Sequence, residues 1–289
     1  MLGITSLTVS RRSGFDPREK DISCFPPMTP PADSVYRPVA PDERDVDALP
    51  VVTKATDYAA GHVIELHHHA RGQLVYADHG VMMVAGDGGQ WIVPPTRAIW
   101  MPPGVAHRIR CIGVVHMRSI YVRPDAAVHL PAKAQAVGVS GLLAELIRAA
   151  IRVPLPYAAD SRDGRLMRLL LDELHALPVL PLYLPQPADE RLQRVCAHIC
   201  AHPDDTSTLA DWAGALGIDV KTIQRLFARE TGMTFGQWRQ QARLLQGLER
   251  LAVGEKVVDV ALALGYDSPS AFAAMFKRQF GEPPSAFYR

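Results

Sequence analysis

Three consecutive histidines, His67, His68 and His69, lie within the stretch ELHHHARGQLVYADHG, residues 65–80. Imidazoles so grouped can bind a dication, move protons or hydrogen-bond a ligand. On a β-strand, alternate side chains face opposite sides, so His67 and His69 share a face and His68 takes the other. Gln73 follows with an amide, and His107 in PPGVAH alternates with Val105, Ile109 and Cys111, an apolar set expected to face an interior. His67, His69, Gln73 and His107 together define a candidate pocket for zinc, nickel or iron(II). The same groups could instead hydrogen-bond a small ligand or one another in a closed barrel, and both readings stay open. An amide at position 73 lacks the charge by which a carboxylate would hold a dication. His62, His79, His116 and His129 have no such spacing and are expected at the surface or in packing.

A second chemistry lies in the last third. The stretch DWAGALGIDVKTIQRLFARETG (211–232) repeats as DVALALGYDSPSAFAAMFKRQFG (259–281). Asp211, Ala213, Ala215, Leu216, Gly217 and Asp219 match Asp259, Ala261, Ala263, Leu264, Gly265 and Asp267; after one inserted residue, Phe227, Arg229 and Gly232 match Phe276, Arg278 and Gly281. Each copy reads as helix, glycine turn, helix, the glycine supplying positive φ and a small residue four before it letting the helices approach. TLAD (208–211) and TFGQ (234–237) are capping boxes, the second opening a long helix to about 252 that joins the copies, and Ser268 can cap with Pro269 at the first helical position. At 100° per residue, Ile223, Leu226 and Phe227 share one side, while Lys221, Thr222, Gln224 and Arg225 lie outward with Arg229 further along. Arg and Gln are the side chains that read guanine and adenine in a major groove, and Arg229 is placed for phosphate. In the second copy Phe272, Phe276 and Phe280 face inward, leaving Ser270, Ala274 and Lys277 outward, with Ala273 or Ala274 available to a thymine methyl. Most base readout therefore falls to the first copy.

The elements that must position these residues follow a simple order. Residues 1–50 hold 8 of the 24 prolines and no sustained periodicity, so a disordered tail is expected. From 51 to 130 short β-branched and aromatic runs alternate with Gly and Pro, the pattern of a sandwich or barrel. Residues 131–187 comprise two amphipathic helices, expected to cover the sheet or pair subunits and to carry coupling, followed by a Pro-rich linker, PVLPLYLPQP. Everything from 188 onward reads as helix. The fold class is α+β, an N-terminal barrel followed by an all-α domain with two helix-turn-helix motifs. A formal net charge of +1 neither favours nor opposes a polyanionic partner. Cys24, Cys111, Cys196 and Cys200 have neither disulfide-framework spacing nor C-x-x-C, and neither a signal peptide nor a long apolar run is seen, so a cytoplasmic, non-membrane protein is expected.

Residues 190–289, ending ALALGYDSPSAFAAMFKRQFGEPPSAFYR, resemble the AraC/XylS family of bacterial transcription regulators. The resemblance implies double-stranded DNA as partner, two motifs entering successive major grooves, contact with RNA polymerase, and a homodimer. Two departures stand out: Ala274 replaces an arginine frequent in the family, and Gly247 sits inside the joining helix where alanine is usual, at a helical cost of about 1 kcal/mol. Gly61, His67, His69, Gln73 and Gly80, then Pro102, Gly104 and His107, resemble the two motifs of cupin barrels, with Gln73 for the usual glutamate and Cys111 for a common asparagine. The whole is similar to AraC-type proteins in which such a barrel precedes the reader, regulators of drug or nitroimidazole efflux among them. The implied function is a regulator controlled by a small molecule or metal in the barrel. The alternative is a metal-dependent cupin enzyme with an accessory helical domain. Without a carboxylate or any positioned general acid or base beyond the histidines, no catalytic residue is assigned and an enzyme is not expected.

Overall fold

The computed structural model describes residues 47–86, 89–95, 97–175, 177, 183–280 and 283–286. The expected disordered tail lies outside the described residues up to position 46; the segment that follows is held by Arg71, which donates to the carbonyls of Asp47 (2.9 Å) and Leu49 (2.8 Å).

Among the described residues there are eight strands, all paired antiparallel: β1 (Val51–Tyr58), β2 (Val63–His67), β3 (Gly72–Gly86), β4 (Gly89–Val93), β5 (Arg97–Met101), β6 (His107–Val122), β7 (Gln135–Gly138) and, after two helices, β8 (Tyr183–Pro185). The runs QLVYA and VMMVA, separate in the sequence pattern, are one strand, as are HRIRCI and VVHMRSIYV. Each long strand carries a positive-φ glycine at mid-length, Gly80 (φ 81°) and Gly113 (φ 72°), and the β3–β6 register shifts between Ala77 and Val81. A side chain at Gly80 would strike the Val114 carbonyl, so the glycine is needed there. The bend divides the sheet into two halves. In the first, β1, β6 from Val115, β3 to Ala77, β5 and β7 pair in turn; in the second, β2, β6 to Ile112, β3 from Val81, β4 and β8 do so. The interior between the halves holds Val75, Met82, Val84, Ile109, Cys111 and Met117.

The helices of the described residues are α1 (Gly141–Ala150), α2 (Arg162–His175), α3 (Glu190–Ala201), α4 (Leu209–Leu216), α5 (Val220–Thr231), α6 (Phe235–Ala252), α7 (Val257–Ala263) and α8 (Pro269–Phe280). The segment expected as a linker enters the sheet: Tyr183–Pro185 pairs with Trp91–Gly89, because β4 offers an otherwise open edge. Strand β7 likewise extends the sheet beyond residue 130. The outer face of the first half, with Leu74, Tyr76, Trp100 and Ile120, is covered by α1 and α2. Helix α6 lies against β3, β4, β6 and β8 of the second half. All five residues of β4 are consequently buried. Among the described residues no helix is long and apolar enough to cross a membrane.

Candidate effector pocket and nucleic-acid interface

His67 closes β2, and His69 lies two residues past it, yet both turn inward while His68 is half-buried. His107 opens β6 opposite His67. The three rings meet, with centroids 4.4 Å apart for His67 and His107, 4.8 Å for His67 and His69, and 5.5 Å for His69 and His107. One ring nitrogen from each lies within 4.8 Å of the others, a set that could hold a metal ion. All three are buried, His107 to 1% exposure. Burial lowers the pKa of His67, and burial followed by repulsion from His67 lowers that of His107 to about 3, so both rings are neutral at physiological pH.

Hydrogen bonds then fix the tautomers. His67 Nδ1 lies 2.7 Å from the Glu65 carbonyl and His107 Nδ1 lies 3.0 Å from the Val105 carbonyl. A carbonyl only accepts, so each Nδ1 carries the proton and each Nε2 presents a lone pair. Backbone-anchored imidazoles of this kind are the usual form of histidine metal ligands. Gln73 is the complication. Its Oε1 faces His107 Nε2 at 3.1 Å, while its amide nitrogen lies 3.0 Å from Ser119 Oγ and 3.3 Å from Tyr121 Oη. With both nitrogens of a neutral His107 facing oxygens, one contact would be unfavourable; a half-turn of the amide directs its NH₂ to Nε2 and its oxygen to the two hydroxyls, satisfying every group. Ser119 and Tyr121 belong to the pocket although the motif pattern did not select them. They continue the odd-numbered alternation from His107 along β6, which was the available signal. Tyr121 also meets His69 edge-on at 5.1 Å. Other histidines lie elsewhere: His62 stacks on Tyr58, His79 meets His116 at a tilt, and His129 meets His175 edge-on.

The repeat folds as the glycine turns require. Gly217 (φ 64°) and Gly265 (φ 72°) adopt left-handed conformations, and Ala213 and Ala261 are buried where the helices cross. Both capping boxes form, Thr208 with Asp211 and Thr234 with Gln237, and Ser268 Oγ accepts from Ala271 N at 3.2 Å. On α5, Lys221, Gln224, Arg225 and Arg229 are exposed and Thr222 half-exposed, with Ile223, Leu226 and Phe227 buried beneath. Arg229 pairs with Glu230 at 2.9 Å. On α8, Ser270, Ala274 and Lys277 are exposed; Ala273 turns partly into the packing, which leaves Ala274 better placed for an apolar contact. Arg278, the repeat counterpart of Arg229, is exposed on the same helix and was not among the expected contacts.

The sheet and the C-terminal helices meet directly. Arg110, three residues after His107 on β6, pairs with Glu249 of α6 at 2.5 Å, and Trp238 Nε1 of α6 donates to the Pro185 carbonyl of β8 at 2.8 Å. A cavity of about 250 Å³ lies at this seam, among Met83, Ile92, Leu184 and Leu245.

Residues 49–193 match the family model described as an AraC-like ligand binding domain, and residues 212–289 match a helix-turn-helix domain. The chain belongs to the AraC family of transcription regulators. It is 33% identical over 222 residues to the HTH-type transcriptional regulator NimR of Escherichia coli K12, covering 77% of this chain and 81% of that one. It is 32% identical over 128 residues to the regulator RipA of Corynebacterium diphtheriae, covering 44% and 36% of the two chains. With the regulatory protein SoxS of E. coli K12 it shares 33% identity over 97 residues, 33% of this chain and 91% of SoxS. The protein is thus an AraC-type DNA-binding transcription regulator with an N-terminal ligand-binding domain, and its relatives are regulators rather than enzymes.

Proposed function

We propose that the regulator's effector, a dication such as zinc, nickel or iron(II) or a small molecule, occupies the pocket of His67, His69, Gln73 and His107, and that occupancy shifts the population competent to bind DNA. The observation that carries this reading is the convergence of three buried imidazoles with ring nitrogens within 4.8 Å. A dication would take Nε2 of His67 and His107 with one nitrogen of His69, and charge would be its contribution. The hydrogen bond between Gln73 and His107 supports the small-molecule form as a second reading, because the amide already engages the imidazole.

Lys221, Thr222, Gln224 and Arg225 are the proposed base readers, with Arg229 on phosphate; Ser270, Ala273, Ala274 and Lys277 are the contacts of the second motif. Coupling was expected through the helices between 140 and 176, but those cover the first half-sheet. The Arg110–Glu249 seam gives a shorter route from His107 to the helix joining both motifs. Coupling of either kind requires that the effector bind the two states unequally. A homodimer and contact with RNA polymerase are part of the proposal, by analogy with the family; exposed Leu142 and Leu169 make α1 and α2 the proposed pairing surface.

The test is metal content together with a footprint on the protein's own upstream DNA, with and without each metal, for the parent and for His67→Ala and His107→Ala. Loss of metal and of metal-dependent occupancy in both variants is expected for the metal form. Unchanged response in both variants would place the effector elsewhere.

A further inference from the structure

The groove between α6 and α8 carries a charge pattern that neither reading helix explains. It has a volume of about 420 Å³ and is lined by Arg239, Gln240 and Arg243 from α6 and by Ala271, Ala274 and Arg278 from α8, among others. No carboxylate is among its described lining residues. Two of the three guanidiniums are held by neutral backbone groups. Arg239 Nη1 donates to the Ser207 carbonyl at 2.9 Å with its guanidinium 5.0 Å from the Phe235 ring centroid, and Arg243 donates to the carbonyls of Pro203 (2.5 Å) and Asp205 (3.0 Å). Carbonyl tethers fix a cation without cancelling its charge, which is the preorganisation an anion site needs; the Asp204 and Asp205 carboxylates do act on Arg243 from outside the groove, but the like charge of Arg239 acts on it more strongly than either. Arg278 completes the rim from the exposed face of α8.

Position identifies the anion. Ala274 lines the groove and also belongs to the outward face of α8, so the groove continues the surface that faces DNA. Ala271 and Ala274 are too short to hold a duplex at a distance, and a helix faced with such residues allows close approach of the sugar-phosphate backbone. We propose that this groove seats a backbone phosphate of the duplex, so that α6 through Arg239 and Arg243, with Arg278 of α8, anchors the second motif where its own reading face offers little grip. The inference rests on the second motif facing DNA, and it differs from base reading in what it predicts: a phosphate seat contributes equally to every sequence and raises salt dependence.

The experiment uses the full chain and two duplexes, one from its own upstream region and one random, with affinity measured by anisotropy across a salt series. The key variants are Ala271→Gln and Ala271→Glu. Position 271 is the third residue of α8, three after the capping Ser268, where either residue completes a capping box and leaves folding intact. The glutamine variant, which adds length without charge, is expected to weaken both duplexes less than the glutamate variant does and to keep the parent's salt slope. The glutamate variant, and Arg278→Ala, are expected to weaken both duplexes by a similar factor of about three to ten and to lower the salt slope by about 0.9 for each phosphate no longer engaged. Arg225→Ala serves as the contrast, weakening only the specific duplex; if it fails to do so while the salt slopes shift as expected, the base-reading assignment falls and the phosphate seat stands. Unchanged slopes and random-duplex affinity in Ala271→Glu and Arg278→Ala would overturn the proposal. Loss of transcription activation with DNA affinity intact would overturn it too, by assigning the groove to an acidic protein surface.

Discussion

Gln73→Glu separates the two occupants proposed for the pocket. Gln73 is 3% exposed and its amide spans His107 Nε2 at 3.1 Å, Ser119 Oγ at 3.0 Å and Tyr121 Oη at 3.3 Å. A carboxylate of the same size can accept from both hydroxyls, and each hydrogen bond to a charged acceptor returns about 1.5 to 3 kcal/mol. Toward His107 it has nothing to donate, and the ring, held neutral with its proton on Nδ1, offers only a lone pair. Burying a carboxylate costs several kcal/mol when no cation compensates. Without metal, the variant should therefore lose about 2 kcal/mol of stability, a Tm about 4 to 8 °C lower. A dication among the three imidazoles would neutralise the new carboxylate, and at a thousand times its Kd it would return about 4 kcal/mol. Differential scanning calorimetry of parent and variant, each with chelator and then with excess zinc, reads both quantities. A variant equally destabilised in chelator and in zinc would refute the reasoning: the imidazoles would then not form a cradle for a dication, and the small-molecule form would remain.

Gly247→Ala should destabilise the protein by about 1 kcal/mol in urea titration, since the added Cβ would sit 3.1 Å from two ring atoms of fully buried Phe272, and overpacking outweighs the gain in helix propensity. A more stable variant would refute this. Arg225→Ala should cost about 1 to 3 kcal/mol of specific binding and relax preference at one base position, read by anisotropy at fixed salt. Arg110→Ala and Glu249→Ala in a double-mutant cycle should give a coupling of at most about 1 kcal/mol, because both side chains are partly exposed, and this should shrink in high salt. Each single variant should also blunt the response to effector; a normal response in both would exclude this pair from the coupling route.

The helical third was readable because its signals are local. Gly217 and Gly265, the buried alanines four residues before each, and the Thr208 and Thr234 caps act within a turn or two of chain, and the structure has each in its expected form. The pocket was readable only in part. Parity along a strand brought His67, His69 and His107 together, but Gly80 shifts the inward positions of β3 from odd to even numbers, and no rule of alternation foresees a bulge. Ser119 and Tyr121 went unselected for another reason: their odd parity with His107 gives only the face they share, and it is the register of β6 on β3 that brings them opposite Gln73. Strand β8 and the Arg110–Glu249 pair depend on contacts spanning roughly a hundred residues, where composition marked only prolines and a charged helix face. Gly247 shows the same limit from the other side. Read along the helix it is a cost; across the packing it is the space that Phe272 fills.

The complete burial of β4 bears on how the protein is made. The second half-sheet has no cover of its own on the outside, for Met83, Ile92 and Leu184 lie under α6, and α6 begins at residue 235. During synthesis the strands up to β6 can pair before that helix has left the ribosome, so an apolar sheet face with β4 at its edge stands bare for as long as about a hundred further residues take to emerge. Such an edge invites pairing with another nascent chain. A sensor domain expressed without the reader carries that exposure permanently, so its solubility depends on a helix outside its own boundaries.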